Sequence, residues 1–364
     1  MEKVFASPSR YVQGKDVFKT GLSHVLALGN RLLLLCDPIV YDLVGKELGK
    51  NLVAAGATVY HESFNGEASN KEVSRVAEIV KEHELTVVVG LGGGKTIDTA
   101  KAIADDCQCP VAILPTVAST DAPTSALSVI YSPEGVFERY RFYTKNPELV
   151  LIDTNVIAHS PVRLLVSGIA DALATWVEAR AVIEAQGKTM VGDTPTIASE
   201  AIARACESTL FENGLQALAA ANAKVVTPAL EAVVEANTLL SGIGFESAGL
   251  AAAHAIHNGF TALHGDIHSL THGEKVAYGT LTQLLLENRP KEELDKYITF
   301  YKELGLPTTL KEVKLDTVPY EDLLKIGRLA TQDGETIHQM VVQYTAEDVA
   351  NALIALNHYV TTRF

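Results

Sequence analysis

A cluster of histidines is the first feature of this sequence that could do chemistry. Five of the eleven histidines lie between residues 254 and 272, namely His254, His257, His264, His268 and His272. His254 and His257 are one helical turn apart and are surrounded by alanines, which predicts two imidazoles on one helix face with room for a ligand. Imidazole nitrogens commonly bind metals, although a helical histidine is more often an ordinary core or surface residue.

A carboxylate in an apolar segment could complete such a site. Asp171 lies in the run GIADALATWVE, residues 168–178, which has the composition of a buried helix. Burying an unpaired carboxylate is costly, so Asp171 is expected to have a cation as its partner. Two histidines and one carboxylate leave a coordination position open, as in catalytic rather than structural metal sites.

A glycine-rich segment indicates a second kind of chemistry. The run GLGGGKT, residues 90–96, follows an apolar strand pattern and precedes a helical one. Bare backbone at a helix N-terminus suits a phosphate group. The segment is not a Walker A loop, because Val89 stands where that motif needs glycine, and its third glycine comes too early for the dinucleotide fingerprint. A tight turn is the alternative interpretation, and strand-loop-helix context favours phosphate binding.

Two further polar features follow predicted strands. Asp37 ends an apolar run, where a carboxylate can bind ribose hydroxyls and disfavour a 2′-phosphate; a turn residue before Pro38 is the other interpretation. The segment PTVASTDAPTS, residues 115–125, is long for a strand connection and rich in hydroxyl groups. Long loops at the carboxyl ends of parallel strands often bind ligands, and an ordinary polar loop is the alternative.

The elements that must position these residues differ between the two parts of the chain. Five short apolar runs alternate with helical patterns and predict a parallel sheet; they are residues 31–36, 57–60, 86–90, 111–114 and 149–152. Segments 126–131 and 137–143 flank a turn and predict a β-hairpin. Beyond residue 160 only helical patterns remain. We therefore predict an α/β dinucleotide-binding domain over residues 1–160 and an all-helical metal- and substrate-binding domain over residues 161–364.

Composition excludes several classes of function. The net charge is −14 and no run of lysine and arginine occurs, which argues against nucleic acid as a partner. No signal-peptide pattern and no membrane-length apolar stretch are present, so no membrane partner is expected. The spacing of the four cysteines fits neither a disulfide framework nor a four-cysteine zinc site, which indicates reduced thiols and a cytoplasmic location.

These motifs together resemble the glycerol dehydrogenase branch of the iron-containing alcohol dehydrogenase superfamily. The resemblance covers nearly the whole chain and rests on six blocks in order. They are GGGKT (92–96), residues 115–125, GIADALATW (168–176), GLAAAHAIHNG (249–259), HGEKVAYG (272–279) and GETIH (334–338). It implies a dehydroquinate synthase-like architecture, in which an α/β coenzyme domain precedes a helical domain.

The resemblance also implies roles for individual residues. Asp171, His254 and His272 would hold the metal and, through it, the substrate. Asp121 would contact the substrate polyol, and either Asp121 or His257 would relay the proton. The implied NAD-binding residues are Asp37, Gly94, Lys95, Thr116, Ser119, Ser125, Leu127 and Tyr131.

One position bears on the identity of the metal. Iron-using relatives typically have a histidine one turn after the aspartate, where this chain has Thr175. Three remaining ligands favour zinc, although the same set also suits non-haem iron. The sequence departs from the family at Met340-Val341, where a Met-Pro pair is usual. His264 and His268 lie in a segment that varies within the family and receive no catalytic role.

The implied reaction is the oxidation of glycerol, or a related vicinal diol, to dihydroxyacetone, with hydride passing from a zinc-bound alkoxide to NAD. A related enzyme of the superfamily acting on another alcohol or a phosphorylated polyol is the alternative; the scarcity of basic residues near the proposed ligands disfavours a phosphorylated substrate. A non-enzymatic metal- or nucleotide-binding protein is a third possibility, disfavoured by the open metal position. The family also implies a homo-oligomer, with an octamer as the candidate size.

Overall fold

The computed structural model describes residues 2–364, apart from the side chain of Phe137. The strands are β1 (Tyr11–Gly14), β2 (Arg31–Cys36), β3 (Thr58–Ser63), β4 (Val87–Gly92), β5 (Val111–Pro115), β6 (Leu127–Tyr131), β7 (Phe137–Phe142) and β8 (Leu149–Asp153). The helices are α1 (Val17–Thr20), α2 (Leu22–Leu26), α3 (Pro38–Val40), α4 (Lys46–Ala54), α5 (Asn70–Glu82), α6 (Gly94–Cys107), α7 (Thr154–Ala158), α8 (Val162–Ala185), α9 (Ile197–Asn222), α10 (Pro228–Glu235), α11 (Ser241–Ala248), α12 (Ala252–Gly259), α13 (His272–Leu286), α14 (Lys291–Leu304), α15 (Tyr320–Ala330) and α16 (Ala346–Arg363).

Six strands form one parallel sheet in the order β1-β8-β5-β4-β2-β3. All five strands expected from the apolar runs are present in it, so the predicted parallel sheet is confirmed. The sixth strand, β1, was not predicted. It has only four residues, is half-buried along its whole length, and lies at an edge of the sheet, so it lacks the continuous apolar run of a central strand.

The predicted hairpin is also confirmed. Strands β6 and β7 pair antiparallel in a separate two-stranded sheet, with Leu127 opposite Phe142 and a register irregularity between Ile130 and Tyr131. Residues 132–136 connect the two strands. The hairpin therefore lies in the connection between strands β5 and β8 of the parallel sheet, directly after the polar segment 115–125.

The chain divides into two compact units. The α/β unit comprises residues 6–165 and 220–242, and the helical unit comprises the N-terminal residues up to Phe5 together with residues 166–219 and 243–364. The expected continuous domains differ from this division mainly at residues 220–242. That segment belongs with the α/β unit because the Asn237 side chain donates to Ala118 O at 3.0 Å and the Thr124 hydroxyl donates to Thr238 O.

Helix starts in the second half of the chain follow local capping chemistry. Thr227 caps α10, and Thr345 forms a capping box with Asp348 at the start of α16. Thr194 stands before a proline as Thr227 does, but no helix begins there. The Thr194 hydroxyl donates to the Glu2 carbonyl, and the Thr196 hydroxyl accepts from the backbone of Ser199 at the beginning of α9.

No single helix among residues 2–364 is both long enough and apolar enough to cross a membrane. One bent pair, Pro228–Ala248 with Ala252–Ala262, reaches the required length and composition only when the two segments are taken together.

Candidate metal centre and coenzyme loop

Three side chains from three helices of the helical unit converge on one point. Asp171 on α8 is fully buried, and its Oδ1 lies 3.1 Å from His272 Nε2 and 3.4 Å from His254 Nε2. One ligand atom from each of the three residues lies within 4.8 Å of the others. Neither oxygen of Asp171 accepts a well-formed hydrogen bond from any described residue. The arrangement offers one carboxylate and two imidazole nitrogens to a single small cation.

The helices that carry these residues approach closely because glycines stand at the crossings. A Cβ atom built on Gly273 would lie 1.8 Å from Ser167 O on α8, and one on Gly279 would lie 2.5 Å from Ala253 O on α12. The backbone N–H of Gly273 also donates to the Ser167 hydroxyl. Only residues without a Cβ fit there, so α13 can bring His272 within reach of Asp171.

The start of α13 is fixed by a capping box that sequence reasoning missed. The Thr271 hydroxyl accepts from the Glu274 backbone at 3.2 Å, and the Glu274 carboxylate accepts from the Thr271 backbone at 2.7 Å. His272 is the first residue of the helix. Because both ends of the turn are tied, the backbone of His272 is held in place before any ligand binds.

A second carboxylate on α8, Glu178, contacts His254 and was also missed from the sequence. Its Oε2 lies 2.6 Å from His254 Nδ1, and its Oε1 accepts from the backbone N–H groups of Ala251 and His254 at 2.8 and 2.9 Å. The Glu178 side chain is fully buried. The available signal was its position seven residues after Asp171, which places both on one face of the same apolar helix.

Charge around the centre favours the ionised carboxylate. Burial by itself raises the pKa of Asp171, but the neighbouring His272 and His254 outweigh it and hold that pKa well below its ordinary value. Burial by itself lowers the pKa of His254, but Glu178 and Asp171 together raise it well above its ordinary value. The neighbouring imidazoles of His272 and His254 therefore favour the ionised form of the buried Asp171 carboxylate.

His257 lies beside the three ligand candidates. Its ring centroid is 4.2 Å from that of His272, and its buried Nε2 has no hydrogen-bond partner among the described residues. Burial lowers the pKa of His257 well below its ordinary value, and the charges of His272, Lys275 and His254 add to the effect. Its Nδ1 faces the Asn258 side chain, which in turn donates to Glu335 at 3.1 Å.

Thr175 and the remaining histidines stand outside this centre. A Cβ on Gly244 would lie 2.4 Å from the Thr175 methyl group, so α11 packs directly on this threonine. His268 Nε2 lies 2.7 Å from the Leu263 carbonyl oxygen. His264 lines a cavity of about 240 Å³ with Lys314 and Lys325, and is not one of the three converging residues.

In the α/β unit, the glycines of the 90–96 segment have two different functions. A Cβ on Gly90 would lie 2.5 Å from the Ala100 side chain, and one on Gly92 would lie 2.8 Å from the Thr96 hydroxyl, so packing requires both. Gly93 and Gly94 have no such neighbour, the nearest atoms being 3.6 and 3.8 Å away. Their bare backbone at the start of α6 leaves room for a phosphate to approach the helix N-terminus.

Lys95 and Tyr131, both predicted to bind coenzyme, lie together. The Lys95 ammonium pairs with Glu67 Oε1 at 2.5 Å and lies 5.3 Å from the centre of the Tyr131 ring. Burial raises the pKa of Tyr131 to about 12. Gly94 is the first residue of α6, and Leu127 and Tyr131 are the first and last residues of β6.

The polar segment after β5 is anchored by a buried lysine that sequence reasoning missed. The Lys101 ammonium on α6 donates to the carbonyls of Ala122 and Leu127 at 2.8 and 2.5 Å, and lies 3.3 Å from the Ser125 oxygens. It also pairs with Asp98 Oδ1 at 3.3 Å. These contacts hold the chain between Ala122 and Leu127, where the predicted coenzyme residue Ser125 stands. Thr116 and Ser119 precede it in the same segment.

Asp37 and Asp121 have local partners of their own. Asp37 Oδ1 accepts from the backbone of Ile39 and Val40, so this carboxylate caps α3. Binding of ribose through the same carboxylate stays a prediction. Asp121 Oδ2 accepts from the Ser241 hydroxyl at 3.3 Å within the α/β unit.

Comparison with known proteins gives a family match in the first part of the chain and relatives that match nearly all of it. The family described as iron-containing alcohol dehydrogenase matches residues 8–154. A glycerol dehydrogenase from Citrobacter freundii is 48% identical over 97% of this chain and 97% of its own length. A glycolaldehyde reductase from Halobacterium salinarum is 46% identical over 97% of both chains.

Solved structures agree with these relatives. The crystal structure of glycerol dehydrogenase from Schizosaccharomyces pombe matches with a TM-score of 0.96 at 44% identity, covering 99% of this chain and 92% of that one. Sulfoacetaldehyde reductase from Bifidobacterium kashiwanohense, solved in complex with NAD⁺, matches with a TM-score of 0.80 at 19% identity, covering 98% of this chain and 99% of that one. The second likeness shows the fold alone.

Proposed function

Because the chain belongs to the iron-containing alcohol dehydrogenase family, we propose that it is an NAD-dependent dehydrogenase that oxidises glycerol to dihydroxyacetone. The observation that carries the proposal is the buried carboxylate of Asp171, which accepts no well-formed hydrogen bond from a described residue and faces two imidazole nitrogens. Full-length relatives named glycerol dehydrogenase, at 44–48% identity, support the substrate.

Asp171, His254 and His272 would hold a divalent cation. The donor set fits, because a buried carboxylate that accepts no well-formed hydrogen bond can bind a cation, and one carboxylate with two imidazole nitrogens leaves coordination positions open. We propose zinc over iron because Thr175 packs under α11 and offers no fourth nitrogen. The cation supplies Lewis acidity, which lowers the pKa of an alcohol.

The α/β unit would bind the coenzyme, which accepts hydride from the alcohol carbon. Gly94 and Lys95 would meet the pyrophosphate at the start of α6, and Asp37 the adenosine ribose. The remaining predicted contacts are Thr116, Ser119, Ser125, Leu127 and Tyr131. Binding would require Lys95 to share or exchange its partner Glu67, since a pyrophosphate competes for the same ammonium.

Two residues of the chain are proposed to contact or deprotonate the substrate. The imidazole of His257 is buried and its Nε2 has no hydrogen-bond partner among the described residues, so this nitrogen is the candidate proton acceptor. Asp121 is proposed to hydrogen-bond a polyol hydroxyl and is the second candidate for the relay. Its carboxylate is oriented by the Ser241 hydroxyl.

A second candidate reaction is the reduction of a hydroxyaldehyde by NADH, which the 46% identical glycolaldehyde reductase favours. It uses the same metal and coenzyme sites in the opposite direction. A phosphorylated polyol, the alternative expected from more distant relatives, has no support among the relatives described above.

We also propose a cytoplasmic homo-oligomer, with an octamer as the candidate size and with neither a nucleic acid nor a membrane as partner. The four cysteines are free, as is usual in reducing compartments. Size-exclusion chromatography with light scattering measures the oligomer directly, and a monomeric mass would overturn that part.

The test of the reaction is an absorbance assay for NADH. Zinc-loaded protein is mixed with NAD and glycerol, and in parallel with NAD and glycerol 3-phosphate or with NADH and glycolaldehyde. We expect NADH formation with glycerol, at a kcat/KM well above that for the phosphate ester. A kcat/KM for glycolaldehyde far above that for glycerol would favour the second candidate, and no turnover in any arm would overturn the enzyme assignment.

A further inference from the structure

The start of α12, which carries His254, lacks a capping residue of its own. Ala251 occupies the N-cap position and has no side chain that could accept from the first backbone N–H groups of the helix. Such groups cost free energy when they are buried without a partner. Glu178 on α8 supplies the missing acceptor, because its Oε1 accepts from the backbone N–H groups of both Ala251 and His254.

The other oxygen of the same carboxylate faces the imidazole. Glu178 Oε2 lies 2.6 Å from His254 Nδ1, while His254 Nε2 points to the oxygen of Asp171 3.4 Å away. An ionised carboxylate can only accept, so the hydrogen bond requires a proton on Nδ1. A neutral ring with its proton on Nδ1 has the lone pair on Nε2, which is the atom that faces the metal position.

We propose that Glu178 is a positioning residue that couples the folding of α12 to the ligand form of His254. The proposal rests on the proposed metal site at Asp171, His254 and His272. One fully buried carboxylate thereby serves two purposes: it caps the helix through Oε1, and through Oε2 it sets the orientation and tautomer of the imidazole. Acidic partners of this kind tune the affinity of metal-binding histidines.

The substitution Glu178→Gln separates the two purposes, because an amide has one accepting oxygen and one donating nitrogen. If the amide oxygen caps α12, the NH₂ group faces Nδ1 and favours the tautomer with its proton on Nε2. If the oxygen instead accepts from Nδ1, the NH₂ group opposes the backbone donors of α12. Either arrangement weakens metal binding without introducing a change of size.

The matched control is Glu312→Gln in the same unit. Glu312 Oε2 accepts from the backbone N–H groups of Thr308 and Thr309 at 2.8 and 2.9 Å, and it is not one of the residues that converge on the metal position. A single amide oxygen can replace it. The control therefore tests the loss of a carboxylate that accepts from two backbone N–H groups, without any change at His254.

The experiment measures zinc dissociation constants by competition with a chelator, and melting temperatures of the metal-free proteins, for the full-length wild type and both variants. We expect Glu178→Gln to raise the zinc dissociation constant by about 10- to 100-fold, and Glu312→Gln to change it less than about twofold. Metal-free melting temperatures should fall by no more than about 4 °C.

A rescue variant keeps the test decisive if Glu178→Gln does not fold. In the double variant Ala251→Ser/Glu178→Gln, the serine hydroxyl can cap α12 and frees the amide oxygen for His254 Nδ1. We expect it to recover at least part of the lost zinc affinity. Zinc affinity of Glu178→Gln within threefold of the wild type, or a double variant no tighter than the single one, overturns the role of Glu178. A wild type that binds zinc no better than Asp171→Asn overturns the proposed function itself.

Discussion

Helices α6 and α8 each carry two buried charged residues, and the two pairs have different partners. On α6, the Lys101 ammonium is surrounded by Asp98 and by the oxygens of Ala122, Ser125 and Leu127. On α8, Glu178 accepts from two backbone N–H groups and contacts His254, whereas Asp171 faces the imidazole nitrogens of His254 and His272.

The difference separates two kinds of buried charge. A buried ion surrounded by donors or acceptors of its own chain organises its neighbours. A buried carboxylate that faces two imidazole nitrogens from other helices offers a set of ligand atoms to a cation. On this basis we interpret Lys101 and Glu178 as organising residues of the two units, and Asp171 as the candidate binding residue.

The largest effect on zinc binding and turnover is expected at Asp171. Asp171→Asn removes the buried negative charge but keeps the shape, so zinc binding and turnover should be lost while coenzyme binding stays near the wild type. Metal-free Asp171→Asn should melt below the metal-free wild type, because it loses the contacts with His254 and His272 that hold the pKa of Asp171 low. Turnover near the wild-type rate would contradict the proposed role of Asp171. His254→Ala and His272→Ala should likewise abolish turnover.

Lys101→Met is expected to act on stability. It leaves Asp98 and several carbonyls buried without their donor, so the free energy of unfolding should fall by about 3–5 kcal/mol, with a higher KM for NAD. Lys325→Met is the matched control, because Lys325 pairs with Asp322 at the same i,i+3 spacing but is half exposed. It should cost less than about 1 kcal/mol. Urea unfolding measures both, and equal effects would contradict a special role of Lys101.

Gly273→Ala tests how the ligand helices are brought together. The new methyl group would overlap Ser167 O, so α13 must shift, at a cost of about 1–3 kcal/mol. Zinc affinity should fall as His272 moves. Gly49→Ala in α4 meets only Leu34 at 3.7 Å, and should instead stabilise the protein by about 0.4–1 kcal/mol. Unchanged zinc affinity in Gly273→Ala would show that the metal centre does not depend on the close packing of α13 against α8.

The smallest effect on stability is expected at Asp37. Asp37→Ser removes the charge but keeps a hydroxyl that can cap α3, so stability should change by only a few tenths of a kcal/mol. If the carboxylate repels a 2′-phosphate, the ratio of kcat/KM for NAD over NADP should fall at least about tenfold, equivalent to about 1.4 kcal/mol. Equal use of both coenzymes by the wild type would leave Asp37 as a helix cap alone.

Sequence reasoning reached the parallel sheet and the histidine-aspartate cluster because both depend on local patterns. Asp171 stood out as a charge in an apolar helix, and the apolar runs indicated five of the six strands. Glu178 and Lys101 were missed, although each is also a charge within a helix of small or apolar residues. Their partners are backbone groups of distant segments, and no local pattern shows which backbone groups need an acceptor or a donor.

The division of the chain into units could not be predicted for a similar reason. Residues 220–242 have the same helical residue pattern as their neighbours. Asn237 and Thr238 nevertheless form hydrogen bonds with the polar segment between Ala118 and Thr124. Such contacts join positions more than one hundred residues apart. The residue pattern indicates whether a segment is a helix or a strand, but tertiary packing decides which other segment it contacts.

That interrupted connectivity has a consequence for synthesis on the ribosome. Every strand of the α/β unit has been made once residue 153 is complete, but the unit gains its last segment only at residue 242. By then a large part of the helical unit, residues 166–219, has already emerged. A fragment that stops near residue 160 would expose the face that residues 220–242 cover. Residues 1–160 alone are therefore a poor candidate for expression as a separate piece, because the α/β unit is complete only with residues 220–242.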